Sequence, residues 1–366
     1  MPPESTLWPL EDHTLGKHRV LRNYMKAWLP KMLQSGRRRV LFIDGFAGPG
    51  EYKYGEDGSP IIALKSFTQH SAFDRMRGRI TFVFIEKELD RAMHLKKVAE
   101  PYMSKLPDDG IRIFNSSFGM KMMEILDLYE DRQRGLPPAF VMIDPFGVAD
   151  APMHVIRRIL ACPSTEVYIS FMYDAFNRFR AHPVFEDHLD GLFGCPEWRE
   201  GLDIPEGDVR KRFYYGLYER CLREAGANHV LSFELYGKER LIYTIFFATQ
   251  RSEGCDVMKQ AMWKTAPFGD FKFMSGAANQ LTLGIEPTDF TLLRKALHSE
   301  FGNEEWVSVD DVMEFVRSDK TEFHSGHLKT KTLRPMERDR EIEVKPGTRK
   351  TRGYFPKGAM LKFVRP

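Results

Sequence analysis

Five short apolar runs, each stopping at a polar residue, recur along the chain and restrict its fold more than any other feature. They are Val40–Ile43 before Asp44-Gly45, Ile80–Ile85 before Glu86, Ile111–Phe114 before Asn115, Phe140–Ile143 before Asp144, and Glu166–Met172 just ahead of Asp174. Near-continuous apolar runs bounded by turn residues read as strands buried on both faces. Helical spacing fills the intervals, at Ile61–Phe67, Asp90–Ala99, Gly119–Tyr129 and Met153–Leu160. Strand alternating with helix in this way predicts a doubly wound, mostly parallel sheet. A long amphipathic helix over Val209–Ala225 then leads to strands at Val230–Tyr236 and Leu241–Ala248. Their connection, Gly237-Lys238-Glu239-Arg240, suits a hairpin, which makes one of them antiparallel. Ahead of the first run, Leu15–Leu29 has helical spacing, with Thr14 placed to cap it and Pro30 to end it. The expected architecture from Arg38 to Thr249 is α/β, a Rossmann-like class I methyltransferase sheet with an antiparallel hairpin at its edge.

Composition shifts at Leu283–Thr288, which reads as a linker. It divides residues 1–282, the sheet domain with its N-terminal helical extension, from residues 283–366. In the latter, Asp289–Phe301, Val309–Val316 (capped by Ser308) and His324–Arg338 read as helices, with Pro335 ending or bending the third. Glu341–Val344 and Ala359–Val364 read as strands around a turn rich in Gly, Lys and Arg. Three helices and a hairpin make a winged helix-turn-helix. The whole chain has 54 basic and 51 acidic residues, a net charge of +3 that says nothing about partners. Its distribution does: Phe290–Val316 has two basic and six acidic residues, whereas Arg317–Pro366 has 14 basic and six acidic. Lys329 and Lys331 on the third helix and Arg349, Lys350 and Arg352 in the wing, interleaved with Tyr354 and Phe355, form an electrostatic footprint for nucleic-acid phosphates, DNA or RNA. A solvated or protein-binding face is the other reading.

The chemistry gathers where the strands stop. In Asp44-Gly45-Phe46-Ala47-Gly48-Pro49-Gly50, glycines let the backbone turn tightly and approach a ligand. The third glycine of a dinucleotide fingerprint is missing and Pro49 removes a backbone donor, so a pyrophosphate cradle is disfavoured. An acidic residue at the strand end suits the ammonium of a methionine moiety, which points to S-adenosyl-L-methionine at Asp44, Phe46, Ala47, Gly48 and Gly50. Glu86 stands where a carboxylate can accept ribose hydroxyls, or can sit at a helix N-terminus. Asn115, Ser116 and Ser117 either contact adenine or cap the helix that follows. Lys17 and His18 either reach the cofactor's carboxylate or lie in solvent. Asp144, Pro145 and Phe146 carry the catalytic expectation. An exocyclic base amine is a poor nucleophile, a carboxylate accepting its N–H bonds pushes electron density onto nitrogen, and an aromatic ring stacks on the base. A turn capped by Asp144 is the alternative. Asp174, Asn177 and Arg178 are candidates for the target pocket. No cysteine adjoins Pro145, which argues against thiolate chemistry at cytosine C5.

The four cysteines (Cys162, Cys195, Cys221, Cys255) lie far apart with no CxxC pair, so neither a zinc knuckle nor a disulfide scaffold is expected, and no metal. No apolar run approaches ~18 residues, and the first residues lack a signal-peptide pattern. These features predict a protein of a reducing compartment, the cytoplasm, with no membrane partner.

Several motifs in order, LFIDGFAGPGEY with Gly58-Ser59-Pro60, FVFIEKE, VMIDPFG and the Ile242–Thr249 segment IYTIFFAT, resemble the three-Cys-motif partner protein family. The resemblance covers about Thr14 to Thr249 and implies a methyltransferase-like protein dependent on S-adenosylmethionine. It also implies a partner, a radical-enzyme-like protein that carries the three cysteines. More distantly, Asp44–Gly50 and Asp144–Phe146 resemble motifs of amino-methylating DNA methyltransferases, and Asp-Pro-Phe-Gly is nearer the form in tRNA guanine-N2 methyltransferases. Three functions remain in view: methylation of a base amine, a catalytically silent module that binds nucleic acid and docks its neighbour, and protein methylation.

Overall fold

Within the buried strands, aromatic and aliphatic side chains alternate, and that alternation sorts the two faces of one sheet. The computed structural model describes residues 5–34, 36, 39–71, 73–132, 135–147, 150–205, 207–237, 240–266, 272–274 and 289–364. The expected linker and the 282/283 boundary lie outside the described residues. Strands β1 (Val40–Asp44), β2 (Ile80–Glu86), β3 (Ile111–Asn115), β4 (Ala139–Ile143), β5 (Thr165–Phe171), β6 (His229–Gly237), β7 (Arg240–Thr249) and β8 (Lys272–Met274) pair in the order β3-β2-β1-β4-β5-β7-β6-β8. β7 alone runs antiparallel to its neighbours. That is the expected mostly parallel α/β sheet with one antiparallel strand near its edge.

Phe42, Phe82, Phe84, Phe140, Tyr168 and Phe247 pack on one face against α1 (Asp12–Gln34), α2 (Ser59–Thr68) and α10 (Ser252–Thr265). Leu41, Ile43, Val83, Ile85, Val141, Ile143, Val167 and Ile169 line the other, against α5 (Phe118–Asp131), α6 (Met153–Leu160), α8 (Glu186–Phe193) and α9 (Asp208–Glu224). Helices α3 (Phe73–Met76), α4 (Leu89–Met103) and α7 (Tyr173–Phe179) complete the layers. Because β1 to β4 run parallel, Asp44, Glu86, Asn115 and Asp144 all stand at the carboxyl edge of the sheet, where ligands of open α/β sheets bind.

The first helix departs from expectation at both ends. Thr14 lies inside α1 rather than capping it, and Pro30 sits inside the helix rather than ending it. Proline forfeits one backbone hydrogen bond, but Val20, Leu21, Tyr24, Met25, Trp28 and Leu29 are all buried against the sheet and α10, and that packing carries the helix through.

Beyond the sheet lie α11 (Thr291–Phe301), β9 (Val307–Ser308) and α12 (Val309–Arg317), whose cap is Ser308 accepting the Asp311 N–H at 3.1 Å. A helical run follows, α13 (Ser325–Leu328), a π-turn (Lys329–Leu333) and α14 (Arg334–Arg338), then β10 (Ile342–Val344) and β11 (Met360–Phe363). β9 joins the expected hairpin to make a three-stranded antiparallel sheet, β10-β11-β9.

This C-terminal unit shares the aromatic-face core through α10 and is fastened there by buried charge. Lys259 on α10 donates to the carbonyls of Val316 (2.5 Å), Ser318 (2.6 Å) and Thr321 (3.1 Å), closing the C-terminal end of α12. Burial pulls this ammonium down to about 8. Asp319 accepts from Arg223 (2.5 Å), His229 (3.2 Å) and the Val230 N–H (2.9 Å), while Asp256 takes the Ser325 N–H and hydroxyl, both at 2.7 Å. Lys259→Met removes the ammonium donor from three buried carbonyls. It is expected to release residues 291–364 to limited proteolysis at a protease level that spares the sheet, at a cost of about 2–3 kcal/mol. Equal cleavage of both parts at that level would contradict this.

Candidate active site

The loop after β1 is shaped as much by packing as by any ligand. Gly48 and Gly50 have φ of +62° and +87°, in the region that favours glycine. A Cβ on Gly50 would lie 2.7 Å from Leu95 and 2.8 Å from Val98, and one on Gly58 would lie 2.9 Å from the Gly50 backbone. At Gly48 the same Cβ meets only Trp8, at 3.8 Å, so that glycine answers to conformation and to the open crevice beyond it.

Asp44 is fully buried. Its Oδ1 accepts the Phe46 N–H at 3.2 Å, and its Oδ2 has no hydrogen-bond partner. Burial pushes the carboxyl up to about 7, against which Ser59 and the Phe46 N–H act only in part. A lone buried carboxylate oxygen is costly and marks a place where a donor or cation belongs.

Glu86 is buried with both oxygens in use. Oε2 accepts from Gly48 N–H and Oε1 from Glu88 N–H, each at 2.8 Å. It ties the glycine loop to the end of β2, and a ribose there would share oxygens already held. Asn115 donates back to the carbonyls of Glu86 (3.1 Å) and Lys87 (2.7 Å), and the Ser116 N–H joins the Glu86 carbonyl at 3.0 Å. These residues clamp the β2 turn. Ser117 stands at the N-cap of α5 without a side-chain cap bond. Phe46 packs on Phe118 at 5.5 Å, and Ala47 is buried with its N–H on the Ile85 carbonyl.

Lys17 and Asp144, expected in separate roles, form an ion pair: Nζ lies 2.9 Å from Oδ1 and 2.7 Å from Oδ2. Side-chain exposures of 6% and 23% make it a pair buried on the lysine side and open on the aspartate side. The ammonium also sits 4.2 Å from the Tyr243 ring centroid. Despite burial, Asp144 and the surrounding tyrosines hold Lys17 above its ordinary range. Next to it, His18 is buried against Tyr52 at 5.7 Å, and burial followed by the Lys17 charge pushes it down to about 3, so it is neutral. Asn177 accepts from Arg210 at 3.2 Å, on α7. Asp174 opens α7, Arg178 lies exposed near its end, and neither borders the crevice.

Phe146 meets Trp8 edge-on at 5.7 Å, and the Arg91 guanidinium lies 5.0 Å from the Trp8 ring and 5.7 Å from Phe146. Trp8 also meets Tyr52 at 5.8 Å, and its carbonyl takes the Lys53 N–H at 2.9 Å. The crevice bounded by Trp8, Lys17, Gly48, Gly50, Asp144 and Tyr243 holds about 90 Å³. Sequence reasoning missed Trp8, Tyr52, Arg91 and Tyr243. An isolated Trp-Pro ahead of a helix and a tyrosine just past the glycine loop were the available signals, and neither has a spacing that marks it.

Among the C-terminal cations, Arg349 is committed. Its guanidinium forks onto Glu337, with one contact at 2.9 Å, and Glu337 also takes the Gly353 N–H at 3.1 Å. It braces the turn between β10 and β11. Lys329 is half-buried in the π-turn, whereas Lys331 and Lys350 reach solvent, Lys331 over the Phe290 ring at 5.3 Å; Arg352, 81% exposed, has its Nε 3.7 Å from Glu337. No group of side chains suited to hold a metal ion occurs among the described residues, and no described helix is long and apolar enough to cross a membrane.

No family model and no curated protein matches the chain. Among solved structures it is similar to an O-methyltransferase from Bacillus cereus in complex with SAH, at 15% identity over 62% of this chain and 80% of that one, TM-score 0.34. It is similar to Trm1 from Pyrococcus horikoshii with S-adenosyl-L-methionine, at 11% identity over 100% and 94%, TM-score 0.38. The METTL16 MTase domain is similar at 13% identity over 62% and 66%, TM-score 0.34.

Proposed function

We propose that this protein is a methyltransferase that uses S-adenosylmethionine and acts on an exocyclic amino group of a nucleic-acid base. One observation carries the reading: the unpartnered Asp44 Oδ2 is buried at the root of the glycine loop, whose residues Phe46 to Gly50 border the same crevice as Asp144 and Phe146. A cofactor ammonium would supply the missing partner of Asp44, and Gly48, Gly50 and Ala47 would border it. The sulfonium brings a methyl group that is already electrophilic, so the protein's task is positioning and electrostatics. Asp144 accepts the N–H of the amine, Lys17 holds that carboxylate in position, and Phe146 with Arg91 offers a stacking surface for a base. Residues 291–364 serve as a winged helix-turn-helix, with Lys331, Lys350 and Arg352 as its phosphate contacts. The resemblance to the three-Cys-motif partner family supports the same cofactor and adds a protein partner.

The test is transfer of radiolabelled methyl from S-adenosylmethionine to DNA, tRNA and total protein in parallel, with Asp144→Asn as control. Label is expected in nucleic acid and is expected to fall about 10²–10³-fold in the variant. Label in protein alone would favour the protein-methylating reading, and nucleic-acid binding without label would favour the silent module.

A further inference from the structure

A polar groove of about 570 Å³ runs between α1 and α2, lined by Arg22, Lys26, Asp57, Lys65, Ser66 and Gln69, among others. It adjoins the crevice on both walls. On α1, His18 borders the crevice and Arg22 lies one turn further along; on the other side Gly58 and Ser59 border the crevice and Asp57 borders the groove. From Lys17 to Lys26 the helix rises about 13 Å.

The charges in this groove are arranged for an anion from outside. Arg22 and Lys26, four residues apart, share one helix face and are exposed. Neither has an ion-pair partner among the described residues. Elsewhere exposed or half-buried arginines pair with carboxylates: Arg39 with Asp109, Arg158 with Asp127 and Glu130, Arg199 with Glu186 and Asp190, Arg223 with Glu219. Lys65 is held by Asp57 at 2.7 Å, so the single carboxylate of the groove is already spent on a third cation. What remains is two positive charges beside hydroxyl and amide donors, the donor set that phosphate oxygens take.

We propose that this groove carries the sugar-phosphate backbone of the substrate polynucleotide toward the Asp144 crevice. Phosphate contacts fix register and orientation rather than sequence, so the groove sets which nucleotide reaches Asp144. This rests on the nucleic-acid reading above, and it adds to the sheet domain a contact surface of its own, separate from the C-terminal cations.

The experiment measures binding of a fluorescein-labelled RNA strand and of a labelled DNA duplex across a salt series. It compares the wild-type chain, R22Q with K26Q, and K350Q with R352Q. Loss of two phosphate contacts is expected to weaken binding roughly 10- to 100-fold and to flatten the slope of log K against log salt by about 1.4 to 1.8. R22K with K26R, which keeps both charges, is expected to retain binding, separating charge from any effect on folding. If the wild type binds and R22Q with K26Q keeps its affinity and slope, the groove assignment is overturned while the nucleic-acid reading stands. If the wild type binds neither probe in a salt-dependent way, both fall.

Discussion

Asp144→Ala is expected to destabilise the folded protein by about 2–4 kcal/mol, more than an ordinary loss of a half-exposed side chain. Removing one member of a buried ion pair costs about 3–5 kcal/mol because the other charge is stranded. The 23% exposure of the aspartate places this pair toward or below the lower end. What is stranded is Lys17, whose ammonium has the two Asp144 oxygens and the face of Tyr243 as neighbours. Two further variants separate charge from shape. Asp144→Asn keeps the side-chain outline and loses the charge, so it retains part of the penalty. Lys17→Met combined with Asp144→Leu removes both charges and is expected to recover most of it, since replacing a buried pair by apolar residues is often neutral. Urea midpoints at constant slope read all three. A double variant no more stable than Asp144→Ala would show that the pair's geometry, rather than the stranded charge, supports the crevice. The same logic governs activity: a loss in Asp144→Asn is attributable to chemistry only after its folded fraction has been measured.

The sheet was legible because its strands carry two signals at once. Runs such as Phe140–Ile143 are apolar throughout, which marks burial on both faces, and each ends in a turn residue. Their observed bounds differ from the expected ones by a residue or so, Ala139–Ile143 against Phe140–Ile143 and Thr165–Phe171 against Glu166–Met172. Helix α10 was not legible. It is buried nearly all round, and its buried set includes Asp256, Lys259 and Ser252, so no polar stripe alternates with an apolar one. Asp256 and Lys259 also fasten the C-terminal unit, so the seam between the two halves was hidden along with the helix. The third C-terminal helix was legible as one run and not as three pieces, because a π-turn before Pro335 depends on hydrogen-bond register rather than residue type.

The candidate site shows the complementary limit. Sequence position placed Asp44, Glu86, Asn115 and Asp144 at strand ends, and the structure puts them at one edge. Spacing along a chain says nothing about which of those groups are already engaged with each other. Glu86 holds two backbone N–H groups, Lys17 holds Asp144, and Arg349 holds Glu337; each pairing joins residues far apart in sequence or across a turn. Of the four strand-end residues, Asp44 is the one with a buried side-chain oxygen that has no hydrogen-bond partner. The feature that best distinguishes a binding role from a structural one was therefore absent from the sequence.

Asp44 also makes the binding of a cationic cofactor depend on pH in a direction that can be worked out. In the folded protein its carboxyl sits at about 7, above an ordinary 3.8. A group raised in this way stabilises the folded state fully below about pH 4, and that contribution is lost as pH rises through about 7. Across that window the unliganded protein is expected to lose stability on the order of 4 kcal/mol from this group. Glu166, held by Tyr24 and Trp28 and also raised by burial to about 7, adds a contribution of the same sign. Asp44→Asn removes the first contribution and Glu166→Gln the second, so each variant is expected to flatten part of the same slope. A cofactor ammonium beside Oδ2 favours the ionised carboxylate. Binding of S-adenosylmethionine below pH 7 is therefore expected to release up to one proton and to strengthen about tenfold per pH unit, reaching a plateau above about 7. Titration calorimetry near pH 6 in two buffers of different ionisation enthalpy reads the proton directly. Asp44→Asn is expected to bind weakly at every pH and to release none. Wild-type binding that is tight, flat with pH and unchanged in Asp44→Asn would remove this carboxylate from the cofactor site, and with it the observation on which the methyltransferase reading rests.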